Sequence, residues 1–175
     1  MRRNYTGGNV LDVGAGKNKM LLSVLSEKLN NGRYYSLDTD PTGDFDFDSY
    51  EDIPDNLSFS LICANQVFEH LELQESIDMM YITSKYLEDN GKFIITIPNI
   101  SHPNRYFGDI THQTPWSYPG FYMIYKYANL DVVKIARYSK RHPKGLMEKI
   151  ITRYVSRVYR MDWCDSILMI GIKNS

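Results

Sequence analysis

Apolar residues in this chain fall into short runs, each cut off by a polar or glycine-rich break. Val10, Leu11 and Val13 form a run that stops at Gly14-Ala15-Gly16, which predicts a buried strand over 9–13 ended by a glycine turn. Residues 18–29 place Met20, Leu21, Val24, Leu25 and Leu29 at helical spacing, closed by Asn30-Asn31-Gly32. A second strand is predicted at 34–37, stopped by Asp38, and the polar stretch after it leaves room for a short edge strand near 45–47. Further on, the pattern predicts a strand at 59–64, a helix at 73–87 closed by Asp89-Asn90-Gly91, and a strand at 92–97 ended by Pro98. Residues 99–115 lack periodicity and read as a long loop. A helix at 119–130, an alternating strand at 131–138, a helix at 144–161 and a last strand at 166–172 complete the chain.

Strands alternating with helices imply βαβ units and a mostly parallel sheet with helices on its faces. The expected fold is therefore a single α/β domain over 1–175. The length of 175 residues, with 43% hydrophobic and 23% charged, agrees with one folded domain and argues against disorder. An open sheet of this kind binds ligands beyond the carboxyl ends of its strands. Those ends fall at 12–16, 38–40, 64–66 and 98–99, all polar or glycine-rich.

Charge adds a second layer. Lys+Arg total 20 against 21 Asp+Glu, a net charge of −1, so binding through bulk positive charge is disfavoured and nucleic acid with it. The charges are unevenly placed. Asp38, Asp40, Asp44, Asp46, Asp48, Glu51, Asp52 and Asp55 follow one another without a base. Lys134, Arg137, Lys140, Arg141, Lys144, Lys149, Arg153, Arg157 and Arg160 are broken only by Glu148. Two isolated cysteines, Cys63 and Cys164, exclude a disulfide framework and a Cys-based zinc site. With no apolar run of membrane-spanning length and no apolar signal core after Met1-Arg2-Arg3, a cytoplasmic location is expected.

The first strand end reads Asp12-Val13-Gly14-Ala15-Gly16-Lys17-Asn18. A phosphate loop fails, because Leu11 stands at its first glycine, and the dinucleotide pattern fails at Lys19. An acid followed by Gly-x-Gly remains. This resembles the first motif of class I S-adenosylmethionine (SAM)-dependent methyltransferases, with Asn18 in place of a third glycine; Asn tolerates the left-handed conformation such a turn needs. The resemblance implies a minimal Rossmann-like fold of the seven-stranded type, with SAM as cofactor and S-adenosylhomocysteine (SAH) as product. It assigns Asp12, Gly14, Ala15 and Gly16 to the cofactor turn, and Asp38, with Thr39 beside it, to the adenosyl ribose hydroxyls. It puts Asp48, then Asp46, near the adenine amino group and Phe47 against the adenine ring. A calcium loop over 38–49 is a poor match, since Ser49 stands where Glu is needed and Pro41 sits inside.

The third and fourth strand ends extend the resemblance over roughly 8–138 and the last strand. Asn65-Gln66-Val67-Phe68-Glu69-His70-Leu71 looks like the segment after strand four of small-molecule methyltransferases, which places Asn65 and Gln66 beside the sulfonium. Glu69 and His70 read as organisers of the next turn, with no metal expected. Asp109-Ile110-Thr111-His112 looks like a loop of methyltransferases from polysaccharide and natural-product pathways. Methyl transfer to a hydroxyl needs a base, and His112, oriented by Asp109, is the first candidate, with His102 in reserve. Tyr106, Phe107, Trp116, Tyr118, Phe121 and Tyr122 supply candidate acceptor walls, several of which must be core. The acceptor would sit over Gln66, Asn99 and the 102–122 region.

The expected activity is methylation, chiefly at oxygen, of a small molecule or glycan. Residues 99–127 serve the acceptor and 140–161 form a basic helical insertion. In that insertion Met147, Ile150, Ile151, Tyr154, Val155, Val158 and Met161 share one side, with Lys149, Arg153, Arg157 and Arg160 along another. Either the helix packs on the sheet with a solvated basic face, or it meets a phosphorylated or lipid-linked acceptor or a membrane surface over 144–160. A small lid suggests cover from a second chain, such as a homodimer partner. Competing readings are a non-catalytic or partner-dependent subunit, and an RNA or protein methyltransferase using the basic helix.

Overall fold

The computed structural model describes residues 7–29, 32–139 and 145–174. The helix stop at Asn30-Asn31 and the bases Lys140, Arg141 and Lys144 lie outside them.

Strand β1, Val10–Val13, is buried at every position because it is paired on both edges and covered on both faces. Gly14 ends it, and helix α1, Met20–Leu25, follows after a turn. Strand β2, Tyr34–Leu37, lies parallel to one edge of β1, with Val10 opposite Tyr34. Strand β3, Phe59–Asn65, lies parallel to the other edge, with Val10 opposite Leu61. Helix α2, Leu73–Lys85, leads to strand β4, Leu87–Pro98, parallel to β3. Helix α3, Tyr118–Tyr127, leads to β5, Leu130–Tyr138, and helix α4, Leu146–Tyr159, to β6, Ser166–Lys173. Strand β6 inserts antiparallel between β4 and β5, giving the order β2-β1-β3-β4-β6-β5. The winding reverses between β1 and β3, the crevice where open α/β sheets hold ligands.

Among the described residues six strands form where a seven-stranded type is expected. The missing edge strand is reduced to one parallel bridge, Leu37 to Phe47. The Ser36 carbonyl accepts from both Asp46 N and Phe47 N, and the Asp46 carboxylate accepts from Ser36 N and Oγ. That double use of one carbonyl coils the segment over β2 and stops the ladder. The predicted break at Asp89-Asn90-Gly91 instead falls inside β4 as a bulge. Between paired positions, β4 advances from Leu87 to Lys92 while β3 advances only from Phe59 to Leu61, and Asn90 adopts φ 62°. Helix α1 begins at Met20 because Lys19, not Asn18, takes the left-handed conformation, φ 40°.

The core has two layers. On one face Leu11, Val13, Phe59, Ile62, Phe93 and Ile95 meet Met80 of α2 and Phe121, Ile124 and Tyr125 of α3. On the other, Val10, Tyr34, Leu61, Ile94 and Ile170 meet Leu21 and Leu25 of α1. Helix α3 lies so close to β6 that only glycine fits beneath it, since a Cβ on Gly171 would stand 2.5 Å from Tyr125 Cδ1. Tyr125 is fully buried, and its hydroxyl donates to the Met169 carbonyl at 3.2 Å. Gly171→Ala is therefore expected to lower stability by about 1–3 kcal/mol, the range for overpacking, read by denaturant unfolding. An unchanged midpoint would show that α3 shifts without cost.

Candidate active site

The glycine turn is built as its residue types require. Gly14 and Gly16 adopt φ 65° and 60°, and a Cβ on Gly14 would strike Val67 Cγ2 at 2.5 Å. A Cβ on Gly16 would meet nothing within 4 Å, so the backbone there faces open space. Gly16 N donates to Asp38 Oδ2 at 2.8 Å, and Asp40 N donates to Asp38 Oδ1 at 3.1 Å. The carboxylate at the end of β2 is thereby fixed against the turn at the end of β1. Thr39 and Asp48 are exposed nearby in sequence.

Asp12 points into the α1 side of the sheet and is 4% exposed. The Tyr34 hydroxyl donates to its Oδ2 at 2.8 Å. Burial pushes the Asp12 carboxyl up to about 6, against the lowering effect of that bond. Asp12, Gly14, Ala15, Met20, Cys63 and Asn65 line a groove of about 240 Å³. Tyr34 is a site residue that the sequence hid, because it reads only as one more apolar strand position.

Two expected adenine contacts have other duties. The Phe47 ring stacks on Tyr35 at 5.7 Å and packs against the core. Asp46 is held by Ser36 and by Arg33, whose guanidinium donates at 3.1 Å.

At the end of β3, Gln66 turns the chain with φ 56° while its N–H donates to the Thr96 carbonyl at 3.0 Å. Thr96 Oγ1 accepts from Gln66 Nε2 at 3.3 Å and donates to Asn65 Oδ1 at 2.5 Å. Asn65 and Gln66 are thus posed by β4. After them, a short turn, Phe68–His70, receives the distant segment 111–116. Trp116 Nε1 donates to the Phe68 carbonyl, Gln113 N and Thr114 N to that of Glu69, Gln113 Nε2 to that of His70, and Thr114 Oγ1 to that of Leu71.

This clamp brings His112 onto His70, with ring centroids 4.9 Å apart, and beside Glu69. Spacing in the sequence gives no hint of that meeting. The His112 side chain is 8% exposed, and its Nδ1 lies 2.7 Å from the Tyr106 carbonyl, so Nδ1 carries the proton and Nε2 the lone pair. Asp109 Oδ2 is 3.9 Å from His112 Nε2, beyond hydrogen-bond range. His112 is therefore oriented by Tyr106 and not, as expected, by Asp109. Asp109 instead caps its own turn, accepting from Thr111 N and Oγ1 at 2.9 and 2.6 Å, and those bonds lower its pKa. Glu69 is 1% exposed, neither of its carboxylate oxygens has a hydrogen-bond partner among the described residues, and burial pushes it up to about 8.

Other acceptor expectations separate. Asn99 is buried and joins β4 to the segment before β6, donating to the Asp162 and Cys164 carbonyls at 3.1 and 2.9 Å, so it is unavailable to an acceptor. Tyr106, Trp116 and Phe121 are core, whereas Phe107 is exposed. His102 belongs to a second groove of about 410 Å³ under α4, with Arg105, Trp163 and Asp165, and Arg105 pairs with Asp165 there.

Of the two alternatives for helix α4, the structure departs from the packed one, for none of its residues is buried. Glu148, Thr152, Val155 and Ser156 turn inward, while Leu146, Met147, Ile150, Ile151, Tyr154 and Val158 are each at least half exposed. No described helix is long and apolar enough to cross a membrane.

A family model described as a methyltransferase domain matches residues 2–149. The fold is similar to that of a SAM dependent methyltransferase from Archaeoglobus fulgidus, at 18% identity and a TM-score of 0.74, covering 98% of this chain and 90% of that one. It is also similar to an S-adenosylmethionine-dependent methyltransferase from Clostridium acetobutylicum (8% identity, TM-score 0.68, covering 99% and 87%). Phosphoethanolamine N-methyltransferase 2 from Haemonchus contortus, in complex with SAM, aligns at 12% identity and a TM-score of 0.64, covering 97% of this chain and 49% of that one. No curated protein sequence matches significantly.

Asp12 and Glu69 both bind a proton more tightly folded than unfolded. Their favourable contribution is complete below about pH 4 and drains away as pH rises to about 6 for Asp12 and about 8 for Glu69. Asp12→Asn keeps an acceptor for Tyr34 and is expected to raise stability at pH 8 by about 2 kcal/mol, with no gain at pH 4. Thermal unfolding across that range checks this; an equal loss at both pH values would mean that the charge is not the cost.

Proposed function

The chain belongs to the methyltransferase-domain family, and we propose that it is a class I SAM-dependent enzyme that methylates a hydroxyl of a small molecule or glycan carried to it at a membrane surface. The observation that carries this reading is the clamp, which holds His112, with Nε2 as its lone-pair nitrogen, against the Phe68–His70 turn that follows Asn65 and Gln66 at the carboxyl end of β3.

The residues present fit the cofactor: an open glycine turn, a fixed carboxylate 22 residues on, and a groove floored by Asp12 and Asn65. Gly14, Ala15 and Gly16 would hold its amino-acid part with Asp12. Asp38 would accept from the ribose hydroxyls, with Thr39 and Asp48 toward the base. When bound, SAM supplies an activated methyl group on a sulfonium. The remaining work is alignment and exclusion of water, done by Asn65, Gln66 and the clamped segment. His112 activates the acceptor hydroxyl, with Asp109 adding negative charge nearby.

Helix α4 supplies the surface. Its outward apolar face, flanked by Lys149, Arg153 and Arg157 at four-residue steps, has the form of a helix lying in an anionic lipid interface. That form supports a reading in which the enzyme works at the cytoplasmic face of a membrane, and a phosphorylated or lipid-linked acceptor suits the same cations.

Calorimetry with SAM and SAH tests the cofactor site. Asp38→Ala is expected to weaken binding at least tenfold. His112→Ala is expected to spare binding while slowing turnover on sugar or lipid-linked acceptors by about 10²–10⁴. Unchanged turnover would remove His112 from the mechanism. Co-sedimentation with vesicles tests α4: retention on phosphatidylglycerol-containing vesicles, lost in Arg153→Glu/Arg157→Glu, is expected. Equal recovery in the supernatant with charged and neutral vesicles would overturn the lipid reading.

A further inference from the structure

We propose that Glu69, His70 and His112 form a binding site for a divalent first-row transition-metal ion. One carboxylate oxygen of Glu69 and one nitrogen of each imidazole lie within 4.8 Å of one another. Around a bound ion at ~2.0–2.2 Å such atoms stand ~3–3.5 Å apart, so small side-chain rotations close the set. Two imidazoles and one carboxylate, with positions left open, suit zinc, iron(II), manganese or cobalt better than an all-oxygen cation such as calcium.

Three independent features point to an ion rather than to a packing accident. Glu69 is 1% exposed, and among the described residues neither of its oxygens has a hydrogen-bond partner. A buried carboxyl group with no polar partner is costly, and a cation taking the place of its proton removes that cost. The tautomers are also fixed for ligation. His112 donates its Nδ1 proton to the Tyr106 carbonyl at 2.7 Å. Thr111 Oγ1 gives its own proton to Asp109 Oδ1 at 2.6 Å and so accepts from His70 Nδ1, 3.0 Å away. Both rings thus keep Nε2 as the lone-pair nitrogen, with a carbonyl or hydroxyl behind Nδ1, the arrangement that supports metal-bound histidines. Finally, the cluster is not sealed. His70 is half-buried, Asp109 is exposed, and Asp109 Oδ2 stands 3.9 Å from His112 Nε2, within reach of water on the ion.

The site would stand where the acceptor hydroxyl is placed in the proposed methylation, and the inference about its role rests on that reading. An oxygen on an open position of the ion loses its proton to solvent more readily. His112 would then activate the acceptor as a ligand, without itself taking the proton.

The test does not depend on activity. The whole chain, stripped with chelator, is titrated with Co²⁺ and followed by visible d–d absorption and calorimetry, with SAH binding measured in parallel. Saturable binding at one equivalent is expected. Glu69→Gln, His70→Ala and His112→Ala should each weaken it on the order of 100-fold while His102→Ala leaves it unchanged, and SAH affinity should hold throughout. His70→Ala, at a partly exposed ring, carries little risk to folding, and circular dichroism checks all four. No Co²⁺ binding by the wild type, or binding that survives His70→Ala and Glu69→Gln, would overturn the site. Co²⁺ binding without SAH binding would uphold the site and instead defeat the cofactor reading.

Discussion

Four consecutive carbonyls, those of Phe68, Glu69, His70 and Leu71, each accept a hydrogen bond from Gln113, Thr114 or Trp116. Each such bond contributes about 1 kcal/mol net, and together they set the position of a long loop that has no regular structure of its own. Asn99 and Arg105 tie the start of the loop to the segment before β6, and the clamp fixes its end. Trp116, 5% exposed and packed edge-on against Phe121 at 5.2 Å, anchors the clamp to the core, so the position of α3 and the position of His112 are one constraint. The same anchoring turns His112 toward Glu69 and His70.

The strand ends supply the other half of the arrangement. Parallel pairing of β2, β1, β3 and β4 brings the Gly14–Gly16 turn, Asp38 and the Asn65–Gln66 pair to one edge. The hydrogen bonds there run across strands: Gly16 to Asp38, Tyr34 to Asp12, Thr96 to Asn65. Polar groups that would be costly alone in a buried sheet are thereby satisfied by one another and kept in fixed directions, which is what a transfer reaction governed by alignment requires. Glu69 departs from this pattern. That is why it marks a place where something further is bound.

Much of this was legible in the sequence for physical reasons. Buried parallel strands are continuous apolar runs, so β1, β2 and β3 stood out, and the glycines of the first turn declared a backbone that side chains could not follow. Irregular backbone was less legible. Asp89-Asn90-Gly91 carries the composition of a turn, yet cross-strand pairing absorbed it into β4 as a bulge, and Lys19 took the left-handed turn for which Asn18 was better suited. The two-sided pattern of helix α4 is legible, but whether its apolar side packs on the sheet or faces outward is not, because periodicity gives a face and not its partner. The meeting of Glu69, His70 and His112 was invisible, since it depends on a loop conformation written in carbonyl–side-chain bonds across more than forty residues.

The most direct test is diffraction from crystals grown with SAH and Mn²⁺, with data collected to reveal anomalous scattering. The arrangement requires SAH against Gly14–Gly16 and Asp38, segment 111–116 bonded to 68–71, and an anomalous peak bound by Glu69, His70 and His112 at the acceptor end of the cofactor. SAH at another edge of the sheet, or His112 swung away from Glu69 with no peak between them, would contradict it.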